Sequence, residues 1–322
     1  MPNSIDGRWQ AAAARLASHG RPLSLPNPSV GALLVKAGRV VGRGWTRAGG
    51  RPHAEAVALE SAGDEASGAT LYVTLEPCAH QSHRGPSCAE LLADAGVARV
   101  VYTLLDPDPR TAGRGVTRMQ AAGIAAEQLS CAAAEESLAG YLSRHRRGRP
   151  FVTLKLAMSL DGQIALPSGQ SQWITCGPAR AHGHAQRARQ DAILVGGNSW
   201  RKDRPRLDVR LPGLADRSPR RMVLTRGEAP GGVTALREPE AIFGMEEQYL
   251  YIEGGAETAA AFLRADLVDR LDLYRAPILI GEGHSAVGDY GLKELGRAHG
   301  QWRPIERRQL GKDTYEAYER IR

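Results

Sequence analysis

Apolar residues in the first half of the chain alternate between two spacings. Trp9, Ala12, Ala13 and Leu16 recur at helical intervals, whereas 30–35 is a continuous apolar run of the kind a buried strand requires. A turn at Ala37-Gly38 then leads into Val40 and Val41 as a hairpin partner. The pattern predicts helices over 53–62, 88–95 and 116–122, with strands over 70–75 and 99–104. Strands separated by helices of about ten residues imply right-handed crossovers, and hence a largely parallel sheet covered by helices.

The same alternation resumes after a basic stretch, Ser143-Arg-His-Arg-Arg-Gly-Arg-Pro150. Strands are expected at 151–157, 192–195, 221–225, 249–253 and 271–280, and helices at 179–190 and from Gly255 to Arg264. The basic stretch reads as a solvated linker, so the expected domains are 1–147 and 148–322, both α/β. A chain of 322 residues accommodates two such cores. No apolar run approaches the roughly 18 residues of a membrane span, and the first twenty residues do not read as a secretory signal. Four cysteines are too few for a disulfide scaffold, which suggests a reducing, cytoplasmic setting. The formal net charge of +7 raises the question of an anionic partner but does not say whether it is a polymer or a small molecule.

The sharpest chemistry lies in His53-Ala54-Glu55, Glu76-Pro77-Cys78 and Cys88. Zinc favours imidazole and thiolate donors, and a catalytic zinc keeps three protein ligands and one open position. His53, Cys78 and Cys88 supply that set, each at or near an expected helix start, where backbone amides and the helix dipole favour a thiolate. Glu55 is the natural proton shuttle between water and a leaving amine. Zinc deaminases place the two thiolates in a P-C-x-x-C string; here nine residues separate Cys78 from Cys88. His80 and His83, in that loop, are either extra ligands or pocket and surface residues. Cys131 and Cys176 have no partner at metal spacing and are expected as buried apolar side chains.

With Asn27-Pro-Ser-Val-Gly31, Thr74-Leu-Glu-Pro-Cys78, 105–109 and Gly113-Arg-Gly115, the first half resembles the deaminase domain of the bifunctional riboflavin-biosynthesis deaminase–reductases. In the second half, 154–162 and 168–175 are similar to that family's reductase. The resemblance implies a cytidine-deaminase-like α/β/α domain followed by a dihydrofolate-reductase-like α/β domain, with one Zn2+ per chain and NADPH as cofactors. The implied reactions are hydrolytic deamination of 2,5-diamino-6-(5-phosphoribosylamino)pyrimidin-4-one, then reduction of the ribosyl group to ribityl. Two features depart from the family. The loop between the cysteines is one residue longer than the usual eight, and the family's Asp-Asp-Pro is here Asp203-Arg204-Pro205, near a shortened segment between Thr225 and Tyr249.

Carried over residue by residue, the resemblance makes Asn27 the base-binding amide; the alternative is an Asn that only organises an Asn-Pro turn. Ala157, Trp173, Ser199 and Asp203 match NADP-contacting positions. Gly254 and Gly255 open a helix where backbone amides could approach a phosphate. Ser171, Arg187, Leu207, Arg210 and Glu253 match substrate positions, Arg187 and Arg210 suiting the substrate phosphate. Arg226 is a candidate 2′-phosphate contact, and Asp161 has no assigned role. The expected partner is thus a small phosphoribosylaminopyrimidine rather than nucleic acid or membrane, and the chain is expected to form a homo-oligomer, a dimer or tetramer. Two other readings remain: a nucleic-acid-acting zinc deaminase, and a deaminase joined to a non-catalytic C-terminal domain.

Overall fold

A computed structural model of the chain describes residues 4–80, 85–228 and 231–322. It divides into two compact units, one through Gly148 and one from Arg149 to Arg322. In the first unit, α1 (Ile5–Ala17) precedes the hairpin β1 (Gly31–Lys36) and β2 (Arg39–Trp45). Then follow α2 (Ala54–Ala62), β3 (Thr70–Leu75), α3 (Cys88–Asp94), β4 (Arg99–Leu104), α4 (Arg114–Ala121), β5 (Ala125–Gln128), α5 (Ala132–Ser137) and α6 (Ala139–Arg147).

The five strands lie in the order β2-β1-β3-β4-β5. Only β3/β4 and β4/β5 are parallel; β1 runs antiparallel to both its neighbours. The expected largely parallel sheet is therefore half antiparallel, because the hairpin inserts β1 between β2 and β3. The apolar runs of β1, β3 and β4 pack as Leu34, Leu71, Val73 and Val100 in a core closed by Leu92 and Met119. The helix that carries the chemistry lies close on β2. A Cβ at Gly44 would come within 2.2 Å of the Ala54 carbonyl, so only glycine allows α2 to approach this near.

In the second unit, β6 (Phe151–Met158) and the short β7 (Gln163–Ala165) precede α7 (Gly177–Arg187), β8 (Ala192–Gly196) and α8 (Gly197–Asp203). Next come β9 (Arg220–Leu224), β10 (Thr234–Leu236), β11 (Tyr249–Ile252), α9 (Ala256–Arg264), β12 (Arg270–Arg275), β13 (His284–Ser285), β14 (Trp302–Leu310) and β15 (Asp313–Arg320). The main sheet has eight strands in the order β10-β9-β8-β11-β6-β12-β15-β14. It is parallel from β10 to β12, and β15 and β14 add antiparallel pairs.

Three expectations change here. The strand expected over 271–280 stops at Arg275. The basic cluster is not a linker: Arg144, Arg146 and Arg147 form the last turn of α6, where positive charge complements the helix dipole. Arg149, only 3% exposed, pairs with Asp269 through Nη1 and Nη2 at 2.6 and 2.9 Å. Cys131 and Cys176 are half-buried rather than buried, and Cys176 Sγ donates to the Leu310 carbonyl.

Candidate active site

His53 is the N-cap of α2, Glu55 lies in that helix's first turn, and Cys88 is the first residue of α3. Cys78 follows β3 by three residues, and the Cys88 amide donates to its Sγ at 3.4 Å. A capping box fixes the start of α3. The Ser87 hydroxyl accepts from the Glu90 amide, and the Glu90 carboxylate accepts from the Ser87 amide at 3.0 Å. His53 Nδ1 lies 3.3 Å from Cys88 Sγ and 3.6 Å from Cys78 Sγ. Donors sharing one tetrahedral zinc, with bonds of about 2.0–2.3 Å, stand about 3.6 Å apart. The three donor atoms lie within 4.8 Å of one another, so this buried N/S/S set fits zinc.

Electrostatics around the cluster follow from burial and proximity. Burial pushes the Glu55 carboxyl up to about 7, against the opposing pull of His53, which suits a group that must both take and give a proton. The hydrogen bond from Cys88 outweighs burial and draws the Cys78 thiol down to about 4, while the same bond and burial push Cys88 well above the thiol range. For His53, burial opposes the imidazolium, but the Cys78 hydrogen bond and the Glu55 charge raise it.

Asn27 is drawn into this group: its Nδ2 donates to the Gly50 carbonyl at 2.9 Å and stands 3.2 Å from His53 Nε2. Its amide packs beside the imidazole on the side opposite the thiols. A cavity of about 260 Å3 opens against Arg51, His53, Ala56, Cys88 and Leu91. His80 does not line this cavity; its Nδ1 lies 3.4 Å from the Thr111 hydroxyl. His83 lies outside the described residues.

Sequence reasoning gave Glu76 no role of its own. Its buried carboxylate accepts from four backbone amides: Gly115 and Val116 at 2.9 and 3.1 Å on Oε1, and Gly113 and Asp106 at 3.0 and 3.2 Å on Oε2. This clamps the 106–116 loop onto the turn that presents Cys78. The approach is so close that a Cβ at Gly115 would fall 1.9 Å from the Pro77 carbonyl. The only sequence signal was an acidic residue beside Pro77 with glycines at 113 and 115.

In the second unit, Glu253 directly follows β11 and meets Arg187 of α7 and Lys155 of β6. Arg187 Nε and Nη2 reach Glu253 Oε1 at 3.0 and 2.8 Å, and Lys155 Nζ reaches Oε2 at 3.4 Å. Burial alone would raise the Glu253 carboxyl, but Lys155 and Arg187 together bring it down to about 2. Lys155 was not foreseen. Arg187 also donates to the Asp208 carbonyl, so its guanidinium is largely committed within the protein. Arg210 is exposed, 3.8 Å from Asp208, with its amide and Nε near the His184 ring. The side chain of Leu207 packs with Ile193, Val195 and Tyr251, leaving only its backbone, at φ 56°, to face a ligand.

The carboxyl ends of β8 and β11 are neighbours, and each runs through two glycines into a helix, Gly196-Gly197 and Gly254-Gly255. A Cβ at Gly254 would meet Thr258 at 2.6 Å, and one at Gly255 would meet Ser199 Oγ at 3.6 Å, which places Ser199 beside this turn. The first of these glycine pairs went unread in the sequence although it carries the same signal as the second. Asp203 is the exposed last residue of α8. Trp173 is 65% exposed with Arg180 4.8 Å from its ring centre, so it is not a core aromatic. Ser171 is half-buried two residues before it, and Ala157 packs at the edge of a cluster with Tyr274 and Tyr315. Arg226 is exposed just beyond β9. Asp161 accepts from the Ile280 and Gly281 amides at 3.2 and 2.7 Å, tying two turns together.

A His/Cys/Cys cluster with both thiols buried, beside a protonatable glutamate, on two helix starts and the loop after β3 of a mixed sheet, defines a zinc-dependent deaminase type of unit. Residues 4–104 match the cytidine and deoxycytidylate deaminase zinc-binding region, and residues 150–243 and 240–315 match the RibD C-terminal domain. The chain is 37% identical to riboflavin biosynthesis protein RibD of Escherichia coli, over 96% of this chain and 98% of that protein. It is 35% identical to RibD of Aquifex aeolicus, over 92% and 93% respectively. Among solved structures, Acinetobacter baumannii RibD matches at TM-score 0.84 and 33% identity, over 98% of this chain and 99% of that one. The Thermotoga maritima diaminohydroxyphosphoribosylaminopyrimidine deaminase/5-amino-6-(5-phosphoribosylamino)uracil reductase matches at 0.87 and 28%, over 99% and 100%. The chain belongs to the RibD family, the bifunctional deaminase–reductases of riboflavin biosynthesis. Among the described residues no helix is long and apolar enough to cross a membrane.

Proposed function

We propose that residues 1–147 deaminate 2,5-diamino-6-(5-phosphoribosylamino)pyrimidin-4-one and that 148–322 reduce its ribosyl group to ribityl. The observation that carries the first half is the convergence of His53 Nδ1, Cys78 Sγ and Cys88 Sγ, with Glu55 buried against them. His53, Cys78 and Cys88 would hold the metal, which supplies Lewis acidity and an acidified water. Glu55 would move a proton from the attacking water to the departing amine nitrogen, a role matched to a carboxyl held near 7. Asn27 presents its amide to the pyrimidine edge, one of its Nδ2 hydrogens being given to the Gly50 carbonyl. Glu76 positions Cys78 and touches no reacting atom.

For the second half, NADPH supplies the hydride. Gly254 and Gly255, with Ser199 beside them, would receive its phosphates at the start of α9. Ala157, Trp173 and Asp203 would contribute to the same cofactor site, with Arg226 as the candidate 2′-phosphate contact. Ser171, the Leu207 backbone, Arg187, Arg210 and Glu253 hold the substrate. Because Arg187 is spent on Glu253, Arg210 with His184 is the better-placed phosphate ligand. The protein works in the cytoplasm as a dimer or tetramer. Zinc-loaded protein incubated with the diaminopyrimidinone phosphate, with and without NADPH, tests the reading. Ammonia release in both and NADPH oxidation in one is the expected result; ammonia release without NADPH consumption overturns the bifunctional assignment.

A further inference from the structure

We infer that Arg51 binds the 5′-phosphate of the deaminase substrate, an inference that rests on the deaminase reading above. Arg51 stands two residues before His53 and lines the cavity that opens on His53 and Cys88. Its charge is felt at the His53 ring. The remaining wall is mostly apolar, with Pro52, Ala56, Pro86 and Leu91, so among the described wall residues Arg51 is the one permanent cation. It is half-buried, yet among the described residues it has no ion-pair or hydrogen-bond partner. Elsewhere in this unit the half-buried Arg99 is neutralised by both Asp6 and Glu127. An arginine left without a carboxylate beside a ligand cavity is set for an anion brought by the ligand.

The loop that carries it is rigidly held. The Arg47 amide donates to the Pro52 carbonyl, the Gly49 amide to the Leu23 carbonyl at 2.8 Å, and Asn27 to the Gly50 carbonyl. Asn27, which flanks the reacting ring, thus also anchors the residue beside Arg51, linking base recognition to phosphate recognition. In the substrate the phosphoribosylamino arm sits on C6, meta to the C2 amine that departs, and the ribose carries the phosphate several bonds beyond the ring. Its counter-charge therefore belongs at the cavity's open side, away from the buried thiols.

The test compares deamination of the phosphorylated substrate with that of its dephosphorylated riboside, in the wild-type chain, Arg51→Gln and Arg51→Lys, with zinc content measured in each. The wild type is expected to prefer the phosphorylated substrate in kcat/KM. Arg51→Gln should cut that preference by about tenfold or more, mainly through KM, with Arg51→Lys between the two. Calorimetry of the deaminated product, with and without its phosphate, should show the same loss in affinity. An unchanged preference in Arg51→Gln, or no preference in the wild type, overturns the inference while leaving the deaminase reading intact. Wild-type zinc protein that releases ammonia from neither compound overturns that reading instead.

Discussion

Arg187 turns two nitrogens onto a single oxygen of Glu253, while Lys155 holds the other oxygen. Two cations on one carboxylate leave a net positive charge at the carboxyl end of β11, where an anionic substrate is expected. Replacing Glu253 with Gln leaves both part-buried cations without a counter-charge and should cost less than the roughly 3–5 kcal/mol of breaking a fully buried pair. Denaturant unfolding should register that loss, and NADPH oxidation should fall with it.

The same group gives stability a pH signature. Its carboxyl is held at about 2, below the ordinary value of 4.5, so the charged form is favoured by folding. The contribution is complete above 4.5 and is lost as pH falls from there toward 2. Wild-type melting temperature should therefore drop faster than that of Glu253→Gln across this window. Parallel curves would contradict the assignment.

Glu55→Gln should retain zinc, measured by metal analysis, and lose ammonia release by at least about 100-fold, the usual contribution of a positioned acid or base. Chelation of the metal should abolish the same activity but leave NADPH binding by the second unit in place.

Glu76→Gln tests the amide clamp. A primary amide must point an NH2 at one of the pairs of backbone donors that the carboxylate now satisfies. We expect zinc affinity to fall about 10- to 100-fold through the displaced Cys78 turn. The hydrolysis of substrate at saturating zinc should suffer much less, which separates positioning from chemistry.

Gly254→Ala puts a methyl group 2.6 Å from Thr258 and displaces the turn at the start of α9. The KM for NADPH should rise, and pairing the change with Thr258→Ala should restore part of it.

The candidate zinc ligands and Glu55 were legible because metal chemistry restricts residue types within short strings, two of them at helix starts that periodicity also marks; Cys78 instead lies in the loop after β3, not at the helix start expected for it. Glu76 was not, because its partners are backbone amides 30 to 40 residues away and carry no side-chain identity. Lys155 is likewise joined to Glu253 across 98 residues. The two C-terminal strands went unread for a different reason. β14 is an exposed sheet edge with four charged residues among its nine, and β15 buries only Asp313, Tyr315 and Ala317. The hairpin that breaks the parallel order of the first sheet was visible, but its insertion beside β3 depends on tertiary pairing.

Asp269 accepts from Arg149 at one end of the second unit and from Arg322, at 2.6 Å, at the other. The first and last residues of that unit therefore meet at one carboxylate. A short peptide joining them would close the unit into a ring, with new ends cut in an exposed turn. The reductase half is in this sense a cassette, transferable into a loop of another protein without stretching its own frame.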